Sequence, residues 1–321
     1  MFFDYAVGDI IETKKDHPCG SNRWEVLRTG ADVKLKCEKC GRVILLSRVD
    51  AEKRTKRIVT KKNPLIRQDM HTHLERAEYT TEWVDRFVAQ AVATGVKRLC
   101  LVEHTHQFDD FDEMYEEARA YSPFQQNWFA IKRKRKLQEF ADFAQEMRQR
   151  SYPIELLFGM EVCYMPGYEA LVRKTLEGKG FQHIIGSVHF VDGFGFDLSK
   201  DQWQGIDVNK FYRRYFENAR LLLQSGLFDV MGHPDSMKLF GILPDYPLDE
   251  EYESLAALAE QYQVAMEQNG GIHMKHPEIE LGMAKGLLEA CKRHHVKLIT
   301  ASDAHRPEDV GRNIPELEAT L

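Results

Sequence analysis

RQDMHTHLERAEYT, residues 67–80, sets His71 and His73 on either side of one threonine, just after the apolar pair Leu65–Ile66. In an extended strand, side chains two apart point to one face, so the two imidazoles converge. Such a pair at a strand end is a metal clamp or a coincidence, and the segments that follow decide which. From Leu65 onward, short apolar runs alternate with long amphipathic stretches. GVKRLCLVEH, IELLFGMEV, FQHIIGSVHF, LFDVMGHPD, QVAMEQNGG and VKLITASDAH read as buried strands. TTEWVDRFVAQAVATG, KRKLQEFADFAQEMRQR, VNKFYRRYFENARLLLQSG and ELGMAKGLLEACKRHH read as helices between most of them. This alternation predicts a parallel sheet, and with the first strand there are seven strands, enough to close a barrel.

The strand ends carry the chemistry. In order they bring His71 and His73, then Glu103 and His104, Glu161, His189, His233, Glu267, and Asp303 with His305 two residues on. The carboxyl ends of barrel strands form the face on which active sites are built. His, Asp and Glu are also the ligands of catalytic divalent ions. Taken singly, each of these histidines reads as readily as a cap or a core residue. As a set, six imidazoles and several carboxylates on one face would repel and lose solvation without a cation. The expectation is a multinuclear metal site.

In this order, HTH, VEH, GMEV, GSVHF, GHPD and SDAH resemble the PHP (polymerase and histidinol phosphatase) family. The blocks EVCYMPGYEALV, IGSVHFVDGFGFD, SGLFDVMGHPD and SDAHRPEDVG resemble its histidinol-phosphate phosphatases. The resemblance runs from residue 65 to about 315. It implies a distorted (β/α)7 barrel with two to three divalent ions, zinc, manganese or iron. Carried over motif by motif, it implies His71, His73, Glu161 and Asp303 on a first ion. Glu161 would bridge to a second, completed by His189 and His233, and His104 and His305 would serve a third. The third site needs one more residue downstream of HTH. Tyr79 stands where the nearest relatives have a histidine. Glu78 matches the acidic spacing of many other members and is the first choice, with Glu75 the second.

The resemblance implies a metal-dependent phosphomonoesterase acting on L-histidinol phosphate. Hydroxide bridging two ions, formed because they lower the pKa of water, would attack phosphorus. Glu161 and Asp303 would sit at the catalytic centre. Arg76, Arg133, Arg135 and Arg306 are candidates to grip phosphate. The loop HFVDGFGFD offers Asp192, Phe194, Phe196 and Asp197 to a substrate that carries an ammonium and an imidazole. Two other functions remain open. One is a nucleotide or nucleic-acid phosphodiesterase of the same class. The other is a non-catalytic, metal-stabilised scaffold with a nucleic-acid-binding N-terminal module.

Composition supports a two-part chain. Residues 1–63 carry a charge balance of +6, which leaves −12 for the rest of a chain whose net charge is −6. YAVGDII, RWEVLRT, ADVKLKC and RVILLSR predict a small basic all-β domain, of a kind that suits a small β-barrel, over residues 1–50. AEKRTKRIVTKKNP, residues 51–64, reads as a basic linker or a short helix and then a linker, and residues 65–321 form the barrel. The first segment resembles small stand-alone bacterial domains of unknown function. Its Cys37 and Cys40 form a CxxC followed by glycine, a metal-knuckle pattern that His17 and Cys19 would complete around a structural zinc; free thiols are the alternative. A basic surface with Trp24 makes nucleic acid a candidate partner beside the small phosphorylated substrate, though Trp24 also suits a core. MFFDYAVGDI lacks the basic start of a signal peptide and no apolar run approaches the roughly 20 residues that span a bilayer. Six cysteines make no dense disulfide framework. The expectation is a cytoplasmic protein with reduced thiols and no membrane partner.

Overall fold

DVKLKC alternates exposed and buried residues one for one, the period of a strand with one face on a core. It is β3 (Asp32–Cys37) of an antiparallel sheet with β1 (Ile10–Thr13), β2 (Arg23–Arg28), β4 (Val43–Ser47) and β5 (Thr55–Thr60), in the order β4-β3-β2-β1-β5. Ile11, Trp24, Val26, Val33, Leu35, Cys37 and Ala51 are buried in its core, so Trp24 is a core residue. The computed structural model describes residues 3, 5, 8–30, 32–60, 67–132 and 134–321. Contacts divide the chain into two compact units, 1–66 and 67–320.

Two expectations for the small unit change. Among the described residues β4 and β5 are the sheet's two edges, so it is an open sheet and not a closed barrel. Residues 51–60 are not a linker. They finish the helix Arg48–Arg54, which Ser47 caps by accepting from the Asp50 N–H, and then form β5 against β1. The basic residues that suggested a linker have a partner: Lys56 and Arg57 both donate to the Glu12 carboxylate, at 2.8 and 2.9 Å. Residues 61–64 and the apolar pair Leu65–Ile66 lie outside the described residues.

In the large unit the seven expected strands are present. They are β6 (Gln68–His73), β7 (Arg98–Val102), β8 (Glu155–Cys163), β9 (His183–Ser187), and, after a hairpin of β10 (Phe190–Val191) and β11 (Phe194–Gly195), β12 (Val230–Met231), β13 (Ala265–Asn269) and β14 (Leu298–Ala301). They pair in parallel in the order β6-β7-β8-β9-β12-β13-β14. The two edges nearly close the barrel: Thr72 bridges Ala304, and the Asp303 N–H donates to the His71 carbonyl at 3.0 Å. Helices fill the crossovers. Thr80 caps Thr81–Thr94, and Gly95, at φ +79°, ends it in a conformation that suits glycine. Asp207 caps Val208–Gln224, whose Phe211, Tyr215, Ala219 and Leu222 form one buried stripe at helical spacing. Among the described residues no helix is long and apolar enough to cross a membrane.

A separate apolar group, Met70, Cys100, Val102, Ile185, Val230, Ala265 and Ile299, draws on six of the seven strands and so fills the barrel interior. Strand β6 serves both this floor and the layer above it. Its pairing with β7 shifts register between Asp69 and Thr72. The extra residue of this bulge lets Met70 join the floor while His71 and His73 turn to the polar end.

Candidate metal centre

Glu161, on β8, is the hub of that polar end. Its side chain is 1% exposed and five imidazoles face it. Nε2 of His189 and of His233 lie 2.9 and 3.0 Å from Oε1. Nδ1 of His104, Nε2 of His71 and Nε2 of His73 lie 2.6, 3.3 and 3.5 Å from Oε2. Asp303 is 3.5 Å from His73, and the His305 ring lies tilted beside His73 with ring centroids 4.3 Å apart. Several of these atoms are buried with no hydrogen-bond partner among the described residues: Nε2 of His71, both ring nitrogens of His73, and Oε2 of Glu161. Buried polar atoms are normally paired. Unpaired nitrogen and oxygen lone pairs converging on one point are a donor set for cations. Three overlapping ligand groups result: His71, His73 and Asp303; His104, Glu161 and His189; His73, His104 and His305.

The rings are held from behind. Nδ1 of His71 donates to Glu267 at 3.0 Å, Nδ1 of His189 to Asp197 at 2.7 Å, and Nδ1 of His305 to the Asp303 carbonyl at 2.9 Å. Each bond fixes the tautomer that leaves Nε2 free to coordinate. Two of the site residues carry strained backbone: Asp303 at φ +58° and His233 at φ +28°. Such strain costs about 1–3 kcal/mol each and persists where surroundings enforce it. Here Glu267 accepts from the His233 N–H, and buried Asp69 accepts from the Ser302 N–H, the Ser302 hydroxyl and the Gly311 N–H, bracketing the Asp303 turn. Burial pushes the Asp69 carboxyl up to about 6.

The same geometry sets the electrostatics. Burial opposes charge on Glu161, yet the imidazoles of His104, His71 and His189 hold its carboxyl well below the usual range. Burial likewise opposes charge on His71, but Glu267 and Glu161 raise it well above an ordinary imidazole. Burial, with His104 and His305 nearby, depresses His73. Asp303 is held low by His73 against the effect of its burial.

The PHP domain matches residues 69–275, well over half of the chain. The chain belongs to the PHP family. A second family, described as a bacterial protein of unknown function (DUF951), matches residues 5–59. A protein of Deinococcus radiodurans named a probable histidinol-phosphatase is 26% identical over 76% of this chain and 88% of its own length. The uncharacterized protein YyzM of Bacillus subtilis is 40% identical over 18% of this chain and 85% of its own. Among solved structures, the histidinol phosphate phosphatase of Lactococcus lactis, complexed with zinc, L-histidinol and phosphate, superposes with a TM-score of 0.57 at 16% identity. That match covers 79% of this chain and 94% of the other, and it shows the shared barrel.

Within this PHP barrel, seven of the eight expected ligands at strand ends and after β14 meet directly in the groups above, and His233 joins them through Glu161. Glu78 does not. Its side chain is 62% exposed and lies 3.7 Å from Arg135. Glu75 takes the place expected of it, 3.6 Å from Nε2 of His305 and on the wall of the cavity. Tyr79 points into the core, against Phe140 and Phe143, with Arg135 stacked 3.9 Å over its ring. Glu103 is buried behind Glu75, and the Gln107 amide donates to both carboxylates.

The phosphate-gripping and substrate-loop expectations also change. Among the described residues, the basic side chains lining the cavity are Lys132, Lys200 and Lys275, not Arg76, Arg135 or Arg306. Arg133 lies outside the described residues. Phe194 and Phe196 are core residues and Asp192 pairs with Arg214 at 2.9 Å, while Asp197 serves His189. Two functional positions had no clear signal. Asp69 looks like one more polar residue in a strand, and its three donors come from residues more than 230 positions away. His106 completes a second HTH at 104–106 and lines the cavity.

Proposed function

We propose that this protein is a metal-dependent phosphomonoesterase that hydrolyses L-histidinol phosphate to L-histidinol and inorganic phosphate. The observation that carries the reading is the set of five imidazoles around Glu161, opening into a cavity of about 530 Å³ whose wall bears three lysines. The donors present fit divalent ions. His71, His73 and Asp303 would hold one, Glu161 with His189 and His233 a second, and His104, His305 and Glu75 a third. When bound, such ions polarise a phosphoryl oxygen and lower the pKa of water.

The remaining roles fall to the chain's own groups. Glu161 and Asp303 keep anionic oxygen at the floor, where cations are to be held. The ammonium groups of Lys132, Lys200 and Lys275 bind and orient the phosphate. Trp128 and Phe240 offer aromatic walls to an imidazole ring, and Lys132 sits 4.3 Å over the Trp128 ring. The phosphatase class is supported by the PHP family and by the relative from Deinococcus radiodurans. Histidinol phosphate as substrate is further supported by the ligands of the Lactococcus lactis enzyme, which has the same barrel.

The test is phosphate release by protein stripped with chelator and reloaded separately with manganese, zinc or iron(II). L-histidinol phosphate is offered beside sugar phosphates, nucleotides and short DNA. Strong preference for histidinol phosphate, abolished by chelator, is expected. Metal-dependent hydrolysis of nucleotides or DNA alone would replace the substrate, and no hydrolysis with any metal would make the barrel a scaffold.

A further inference from the structure

The small unit holds four ligand-type side chains that the barrel chemistry does not use. His17 and Cys19 come from the loop between β1 and β2, Cys37 from the end of β3, and Cys40 from the turn into β4. Their ligand atoms all lie within 4.8 Å of one another. Nδ1 of His17 is 3.1 Å from Sγ of Cys19 and 3.6 Å from Sγ of Cys40, and the Cys19 and Cys37 sulfurs are 3.6 Å apart.

These separations match a coordination polyhedron. With metal–sulfur bonds of about 2.3 Å and metal–nitrogen bonds of about 2.0 Å, a tetrahedron puts two sulfurs about 3.8 Å apart and a sulfur and a nitrogen about 3.5 Å apart. A disulfide would need its sulfurs at about 2.05 Å. All six cysteines are free in this structure.

The backbone is built for the same purpose. Residues 38–40 turn the chain back from β3 and keep the Cys37 and Cys40 sulfurs within 4.8 Å of each other. Gly41, at φ +72°, closes that turn by donating to the Cys37 carbonyl at 2.9 Å. On the facing loop the Gly20 N–H, with Gly20 at φ +83°, donates to the His17 carbonyl at 2.7 Å, which folds Cys19 back beside the imidazole. The His17 ring is fixed edge-on to Trp24, with centroids 5.1 Å apart.

The unit is small enough for such a staple to matter. Among the described residues its buried apolar core is eight, Tyr5, Ile11, Trp24, Val26, Val33, Leu35, Cys37 and Ala51. Domains of about 60 residues are marginal on a core alone and often use a metal or disulfides.

We infer that His17, Cys19, Cys37 and Cys40 form a structural site for one tetrahedral, thiophilic divalent cation of the zinc type, which ties the β1–β2 loop to the β3–β4 turn. Binding displaces three thiol protons to solvent and leaves a Cys3His complex with no open position. The site takes no substrate. It supplies folding free energy to the small unit, independently of the ions in the barrel.

Cobalt(II) separates the two kinds of site, because only thiolate ligands give an intense sulfur-to-cobalt charge-transfer band in the near ultraviolet. The full-length protein, stripped of metal and kept reduced, is titrated with cobalt(II). The expected result is a band whose final intensity corresponds to one thiolate-bound cobalt per chain, whatever the barrel takes up, and which is bleached by zinc. It should persist in His71→Ala, which damages the barrel site, and vanish in Cys37→Ser. Cys40 is exposed, so Cys40→His is the gentler variant: it should keep the binding and weaken the band. Hydrogen exchange of the wild type should slow on zinc addition in peptides covering 14–22 and 37–42.

A wild-type titration with no thiolate band overturns the inference without reference to any variant. So does a band that survives Cys37→Ser. So does a thiol count, in denatured protein never exposed to reductant, that falls short of six through a Cys19–Cys37 disulfide.

Discussion

Glu267 accepts a hydrogen bond from Nδ1 of His71 at 3.0 Å, while Nε2 of the same ring lies 3.3 Å from Glu161. One carboxylate thus orients the ligand of another. Glu267 also accepts from the His233 N–H and the Asn269 amide, so it fixes two strand ends at once. Glu267→Gln keeps the volume but turns an amide NH2 towards donors. Metal affinity, and with it phosphate release, should fall about 10–100-fold, with the fold intact by circular dichroism. Affinity equal to wild type in a metal titration would show that Glu267 is only a core residue.

Glu75 and Glu78 differ by three positions and by their surroundings. Glu75 reaches His305 and the cavity, and the exposed Glu78 lies 3.7 Å from the buried Arg135. Glu75→Gln should lower the affinity for the ion assigned to His104 and His305, and the rate, by about tenfold or more. Glu78→Gln should change either by no more than about twofold, as exposed substitutions do. The opposite ranking in metal content and rate would return the ligand role to Glu78.

The architecture was legible because two periods dominate it. The alternation of short apolar runs with 3.6-period stretches gave all seven barrel strands, and the strand-end histidines then had one face on which to meet. What stayed hidden depended on long-range contact or on loop geometry. The spacing between His73 and Glu78 counts residues, but the turn that follows β6 decides which glutamate faces His305. Asp192, Phe194 and Phe196 had the composition of a substrate loop, yet burial and Arg214 claim them. In the small unit the density of Lys and Arg at 51–62 masked the strand alternation of TKRIVT, because its charges are paired across to Glu12 on β1.

That pairing makes the small unit sensitive to acid. Hydrogen bonds from Lys56, then Arg57, lower the Glu12 pKa below its ordinary 4.5. A depressed carboxylate stabilises the fold at pH values above its unfolded value, and the contribution is lost as pH falls through the folded value. Glu12→Gln should therefore speed hydrogen exchange of peptides in β1 and β5 at pH 7. Once pH is below the folded-state value, wild type and variant should match. A difference that persists there would assign the effect to packing instead of charge.

Gly271 tests the role of Asp303 without touching a ligand. It opens the short helix Gly271–Lys275, and a Cβ at this position would lie against the Asp303 carboxylate, 2.9 Å from its carbon. The Asp303 backbone has little room to retreat. It already sits at φ +58°, with its N–H held by His71, and the new Cβ would also lie 2.7 Å from the Asp303 Cβ, so the carboxylate must swing and the turn that carries it must give. Gly271→Ala should thus displace one ligand, with a local crowding cost of roughly 1–3 kcal/mol that leaves the fold in place. The expected pattern is a melting temperature lowered by roughly 2–10 °C, with metal affinity and phosphate release reduced about tenfold or more. Retained affinity and rate would mean that Asp303 holds neither an ion nor the substrate. A collapse of both stability and rate would place the contact in the barrel's packing rather than its chemistry.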